Sequence, residues 1–261
     1  MSLVKHQADH NYFNKESMVR SPYKRVMVKF SGDVLFAFNG AAEELQHDDT
    51  LLNLLMQIKN CQQQGVQLVV ICGGGNICRG QEMVRCGIKR TTADNIGMLS
   101  TLINSLIIRE KLSKIGCPCV LFSAFAVSNM CAQFETFRAI RALEDGNTVI
   151  CAGGTGNPFV TTDTASTLRA VQTEVEAVIK LTKVNGLYDK DPNKYADAVL
   201  LRSTSYDYCL EHQLKVMDLL AYEHCKNYDI PIHIASFKEP NILTRLINGA
   251  SVGTKISNYG E

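Results

Sequence analysis

Short apolar runs alternate with stretches of helical periodicity along most of this chain, and that alternation leaves few folds open. Residues 24–30 (KRVMVKF) and 66–71 (VQLVVI) read as strands. Between them, 43–64 carries Leu45, Leu51, Leu52, Leu55 and Ile58 at helical spacing and ends at Gly65, a suitable residue just past a helix. A strand without a polar face belongs inside a sheet covered on both sides, and parallel sheets are built that way. Further strands are expected at 119–122, 148–152, 177–181, 231–235 and 254–256. Helices are expected at 92–115, 134–143, 163–174, 205–212, 218–227 and 241–247. Within 92–115, Thr92 or Asp94 is the expected cap, Ile96, Leu99, Ile103, Leu106 and Ile107 the expected core face, and Gly116 with Pro118 the stop. The order predicts an α/β fold, a three-layer α/β/α sandwich around a mostly parallel central sheet. One unit of two lobes is expected, 22–175 and 176–261, with no internal repeat.

Composition narrows the functional classes. A formal net charge of +1 over 261 residues gives no general affinity for nucleic acid or anionic membranes, so any polyanion must be bound locally. The ten cysteines form no C-x-x-C pair and mostly sit in apolar runs, as buried thiols do. The first 21 residues lack the apolar core of a secretory signal and read as a disordered arm. No run approaches the roughly 18–20 apolar residues of a membrane span. A cytoplasmic location is expected.

Four strand ends carry unusual loops, and ligands of open parallel sheets sit beyond those ends. The first holds Lys29, Phe30, Ser31 and Gly32, a cation and exposed backbone N–H groups for one phosphate; a surface lysine beside a turn glycine would look the same. The second is Gly73, Gly74, Gly75 and Asn76, with Arg79 shortly after. Three glycines in a row cost folding entropy and point to close approach of backbone to an anion, which Arg79 can grip in bidentate fashion; a plain flexible loop is the other reading. The third runs through Gly153, Gly154, Thr155, Gly156, Asn157, Pro158, Phe159 and Val160 to Thr161, Thr162 and Asp163, where a helix begins. Helix N-termini attract anions, and Asp163 is either the cap of that helix or a group near metal-bound phosphates. The fourth, 182–192, contains Thr182, Tyr188, Asp189 and Asp191, an aromatic ring beside carboxylates that suits a base and a ribose as well as it suits an ordinary loop.

Together the motifs K-x-S-G, GGGN-x-x-RG, TTAD-x-x-GM, GTGNPF-x-TTD and K-x-TKV-x-G-x-Y-x-x-DP, with LKVMDL at 214–219, resemble the bacterial uridylate kinases of the amino acid kinase superfamily. The resemblance runs from about residue 23 to 256 and implies the amino acid kinase-like fold and transfer of the ATP γ-phosphate to UMP. It implies that Lys29, Phe30, Ser31, Gly32, Gly75 and Arg79 serve the ATP phosphates, and that Thr182, Tyr188 and Asp191 serve its nucleoside. Gly74, Asp94 and the stretch Thr155, Gly156, Asn157, Pro158, Phe159, Val160, Thr161 and Thr162 would hold UMP. Lys29, Arg79 and Asp163 would carry catalysis, with Mg²⁺ between the ATP phosphates. Relatives are homohexamers, activated by GTP and inhibited by UTP, and the same is expected here.

The chemistry fits that inventory. The attacking phosphate oxygen is already anionic near neutral pH, so positioning and positive charge suffice, and no histidine base is needed. A carbamate, aspartate or glutamate kinase of the superfamily would have no use for GTGNPF-x-TTD. A non-catalytic nucleotide sensor on the same fold would be marked by loss of Lys29 or Asp163, and both are present. Three positions depart from the family pattern: Phe30 replaces the usual leucine, Asn185 stands where aspartate is common, and 33–43 diverges on the ATP side.

Overall fold

The structure, a computed structural model, describes residues 21–35, 49–190, 192, 194–214 and 216–260. The expected arm at 1–20, most of 33–43 and the start of the first expected helix lie outside the described residues, as do Asp191 and Lys215. Among the described residues a nine-stranded sheet forms the middle layer. Its strands are β1 (Arg25–Phe30), β2 (Gln67–Cys72), β3 (Cys119–Ser123), β4 (Ala132–Gln133), β5 (Thr148–Ala152), β6 (Ala177–Thr182), β9 (Ser203–Ser205), β10 (Ile232–Ser236) and β11 (Thr254–Ser257). A separate antiparallel pair, β7 (Leu187–Tyr188) with β8 (Leu200–Leu201), stands off the sheet. The sheet order is β4-β3-β5-β2-β1-β6-β10-β11-β9, and every neighbouring pair is parallel except β10 with β11.

The pleat of β1 explains the layers. All six of its residues are buried. Val26, Val28 and Phe30 face one core, packed by α1 (Asp49–Gln63), α3 (Arg90–Lys114) and α8 (Ile242–Ile247). Met27 faces the other, packed by α4 (Thr136–Glu144), α5 (Thr162–Gln172), α6 (Tyr206–Glu211) and α7 (Leu219–Asn227). The three-layer sandwich is as expected. Strand order reverses at β1, with β2 on one side and β6, which arrives much later in the chain, on the other. The crevice past the carboxyl ends of β1, β2 and β6 is therefore where a ligand should lie.

Several local expectations are corrected. Helix α3 begins at Arg90 with Lys89 as a cap that makes no side-chain bond, so neither Thr92 nor Asp94 caps it. Its expected core face is turned outward in part: Leu99 and Ile103 are 49% and 41% exposed, while Ser100, Thr101, Asn104 and Ser105 are buried. Small polar residues face inward because α3 flanks the crevice and binds its loops by hydrogen bonds, as the next section describes. The short elements α2 (Gly80–Arg85), β4, β7, β8 and β9 have too few residues to show periodicity in sequence. Of the ten cysteines, all free, six are buried; burial pushes the Cys61 thiol up to about 11 and Cys151 up to about 12.

Candidate active site

The centre of the crevice is an ion triad assembled by strand register. Lys29 of β1 and Lys180 of β6 are cross-strand partners on the face that carries Met27 and Val178. Two lysines placed opposite one another repel. The first turn of α5 supplies the offset: Asp163 Oδ1 lies 2.8 Å from Lys29 Nζ, and Asp163 Oδ2 accepts from Lys180 Nζ at 2.7 Å. The three side chains are only 10%, 13% and 9% exposed in the order Lys29, Asp163, Lys180, so the triad sits in a low-dielectric environment. Burial alone would raise the Asp163 carboxyl. The two ammonium groups outweigh burial and hold it at about 2. Burial lowers Lys180 to about 8, with Lys29's charge adding to the effect against the opposing pull of Asp163 and Asp218. Lys180 Nζ also donates to the Val216 carbonyl. Asp163 does not cap α5: Thr161 is the cap, its hydroxyl accepting from the Asp163 N–H at 3.0 Å, which frees the carboxylate for the lysines.

Around the triad, backbone is brought closer than any side chain would permit. A Cβ on Gly32 would lie 2.2 Å from Asn76 Oδ1 and 2.6 Å from the Gly73 carbonyl. One on Gly74 would lie 2.7 Å from Ser100 Cβ and 3.0 Å from both Gly97 O and Thr101 N of α3. The run is therefore glycine for packing at Gly74, while a Cβ on Gly75 would meet nothing within 4 Å. The N–H groups of Gly74 and Gly75 have no partner among the described residues, whereas that of Gly73 donates to Phe30 O. Fully buried Asn104 fixes the turn, donating to Gly73 O and to Asn76 Oδ1, both at 2.7 Å.

On the β2–β5 side of the triad lies a cleft of about 270 Å³ lined by Gly74, Gly75, Arg79, Asp94, Thr155, Asn157, Val160, Thr161 and Thr162, among others. Asp94 accepts from Arg90 Nε on both oxygens, at 2.9 and 2.8 Å, and from the Phe159 N–H at 2.8 Å. It thereby ties the 153–160 loop to α3, which also takes the Gly153 N–H on Thr101 Oγ1. Phe159 is 64% exposed with Arg90 over its ring at 5.8 Å, and Gly156 packs on Ala124. Phe159, Gly156 and Pro158 thus shape the loop rather than line the cleft.

A larger cleft, about 510 Å³, opens beyond β6 and is lined by Val184, Leu187, Tyr188, Lys190, His212, Leu214 and Val216, among others. Tyr188, expected at the ATP nucleoside, is among the residues that line it. Thr182 ends β6, its carbonyl accepting from Phe237 N, and does not line this cleft. The Phe30 side chain lies in the core, so only its backbone reaches the crevice. Ser31 caps the short turn Gly32–Val34, donating from its hydroxyl to Asp33 at 3.1 Å.

Asn104 and Asp33 stand in or beside the site without having been assigned a role, as do Lys180 and Asp218, which stood only as letters of the K-x-TKV and LKVMDL motifs. Lys180 had a legible signal, a lone lysine inside the apolar run 177–181. Asp218 sits at the cap position of α7 but its side chain makes no cap bond there; its carboxylate accepts from Thr161 at 2.5 Å, the cap of α5, and from Thr164 at 2.9 Å within it. Nothing local in the sequence announces that pairing.

A mostly parallel α/β sheet with a charged, glycine-walled crevice at its reversal point is the arrangement of a nucleotide- and phosphate-handling enzyme. Residues 24–236 match the amino acid kinase family, and the chain belongs to it. It is 39% identical over 235 residues to the uridylate kinase of Xanthomonas campestris, covering 90% of this chain and 96% of that one. It is 43% identical over 230 residues to the uridylate kinase of Campylobacter fetus, covering 88% and 95%. Among solved structures, the UMP kinase of Bacillus anthracis superposes with a TM-score of 0.84 at 33% identity, over 91% of this chain and 97% of that one. Within the family, this chain falls with the uridylate kinases.

Proposed function

We propose that this nucleoside monophosphate kinase binds UMP in the cleft of Asp94 and Thr162 and the ATP nucleoside in the cleft of Tyr188, and transfers the γ-phosphoryl group between them. The observation that carries the reading is the Lys29–Asp163–Lys180 triad, which adjoins both clefts. Thr162, next to Asp163, lines the first, and Val216, whose carbonyl holds Lys180, lines the second. A UMP phosphate oxygen attacks the γ-phosphorus, the bond to the ADP oxygen breaks, and UDP leaves. Lys29, Lys180, Arg79 and the Gly74 and Gly75 N–H groups offset the charge spread over the transferred group. Asp163 orients the two lysines, and its charge opposes the loss of the Lys180 proton. Mg²⁺ arrives as part of the substrate, on the ATP phosphates. That agrees with both Asp163 oxygens being taken by lysines.

The lobe division at about residue 175 is part of this reading, supported by one cleft being lined by residues 74–162 and the other by 184–216. So is self-association into a hexamer, for which the outward apolar pair Leu99 and Ile103 on α3 offers a contact face; GTP and UTP as its effectors rest on the resemblance to the uridylate kinases alone. A cytoplasmic setting agrees with ten unpaired thiols. The test is a coupled assay with Mg-ATP and a panel of nucleoside monophosphates, in which UMP should be the preferred acceptor. Equal use of CMP or dUMP would defeat the assignment.

A further inference from the structure

Asp33 lies one residue past Gly32, and its carboxylate gathers groups from both sides of the crevice. Arg79 Nη2, from the wall of the smaller cleft, lies 3.4 Å from Oδ1. Lys183 Nζ, adjoining the larger cleft through Val184, lies 3.1 Å from Oδ2. The two cations are mobile in kind, each 56% exposed on a long side chain, whereas Asp33 is 22% exposed and tied by Ser31 Oγ within a single turn. The carboxylate is thus the fixed member, and the cations converge on it from opposite clefts. Where an acceptor cleft and a donor cleft meet, the groups that belong there are phosphates. A carboxylate that draws an arginine and a lysine together at that point offers the same charge sign and the same bidentate acceptor geometry.

We propose that Asp33 is a stand-in anion, a positioning residue that keeps Arg79 and Lys183 gathered at the junction while no nucleotide is bound and gives them up to the phosphates when one enters. This rests on the assignment of the two clefts given above. It gives Asp33 a defined thermodynamic signature. The empty site is held mostly in a paired arrangement that competes with nucleotide, so apparent affinity is reduced by the fraction of molecules in which the cations are free. Burial works to raise the Asp33 carboxyl, but the bonds and charges of Lys183, Ser31 and Arg79 outweigh it, so the group titrates below its ordinary value and is an anion throughout the neutral range.

The experiment is calorimetric titration of Mg-ATP and of ADP into wild type and Asp33→Asn, repeated in an Arg79→Met/Lys183→Met background. If the paired state holds roughly eight or nine molecules in ten, Asp33→Asn tightens both nucleotides about five- to tenfold, steepens the salt dependence of binding, and leaves Asp33→Glu near wild type. In the Arg79→Met/Lys183→Met background the tightening should largely vanish. Unchanged or weaker binding in Asp33→Asn would overturn the proposal, because a purely structural carboxylate gives that result. Tightening of equal size in the Met background would overturn it too, by assigning the effect to plain repulsion between carboxylate and phosphate. These titrations need no acceptor, so they are decided separately from whether UMP is the substrate.

Discussion

Replacing Asp163 by asparagine removes the charge that lets two lysines share one face of the sheet. The wild-type carboxylate is held at about 2 rather than its ordinary 3.8, which corresponds to about 2–3 kcal/mol in favour of the ion. Because the folded value is depressed, this stabilisation is fully present above about pH 4 and drains away as pH falls toward 2. In Asp163→Asn it is absent at every pH. Lys29 and Lys180 remain opposite each other and buried, and breaking a buried pair by removing one partner costs about 3–5 kcal/mol. For a chain of this size the melting temperature at neutral pH should fall by roughly 6–20 °C, which a fold of ordinary stability survives.

The kinetic consequence is sharper, because it falls on Lys180. In the intact triad Lys180 is already lowered to about 8, so the rate should decline above that pH as its proton leaves. Without Asp163 the carboxylate left acting on Lys180 among the described residues is Asp218, while burial and Lys29's charge still disfavour its proton. Its protonation then falls below 8, and the alkaline limb of the pH–rate profile should move toward or through neutrality. Loss of one charge from the group that meets the transferred phosphoryl lowers kcat by about 100- to 1,000-fold at pH 7. The assay is a coupled measurement of ADP release between pH 6 and 9.5, with circular dichroism to confirm the fold. Turnover within threefold of wild type would remove Asp163 from the mechanism. A slow variant whose alkaline limb stays where it was would leave Asp163 in place but refute its proposed action through Lys180.

Two further perturbations separate the parts of the site. Asp94→Ala frees the Phe159 N–H and Arg90 together, so the KM for UMP should rise about tenfold or more while that for ATP moves little; a parallel rise in both would argue against a role confined to the acceptor side. Gly74→Ala forces a Cβ to within 2.7 Å of Ser100 and 3.0 Å of the α3 backbone. Overpacking of this kind costs about 1–3 kcal/mol, or roughly 2–12 °C in melting temperature. Gly75→Ala, facing open space, should melt like wild type, and equal losses at both positions would contradict the packing account.

How much of this was legible in the sequence depended on the range of the interaction. Strands and long helices are local statements of periodicity, and 148–152 emerged with its limits unchanged as β5. The loops at the strand ends were legible because glycine, proline and cap residues mark turns wherever they occur. The triad was only half visible. Lys29 and Asp163 each stand in a recognisable loop; Lys180 shows as a lone lysine in an apolar run, but its partners do not, because the parallel register of β6 on β1 pairs residues 151 positions apart. Asp218 was hidden for the same reason, since a cap residue that bonds a different helix looks in sequence like any cap. The misjudged face of α3 points the same way. Leu99 and Ile103 obey helical spacing, yet the crevice needed Thr101 and Asn104 turned inward to hold Gly153 and Gly73. A helix cannot present both stripes to one wall, and here the glycine loops of the crevice claimed the inner one. Departures from the apolar pattern, such as the lysine inside β6 and the inward polar stripe of α3, therefore mark the site as surely as its glycines do.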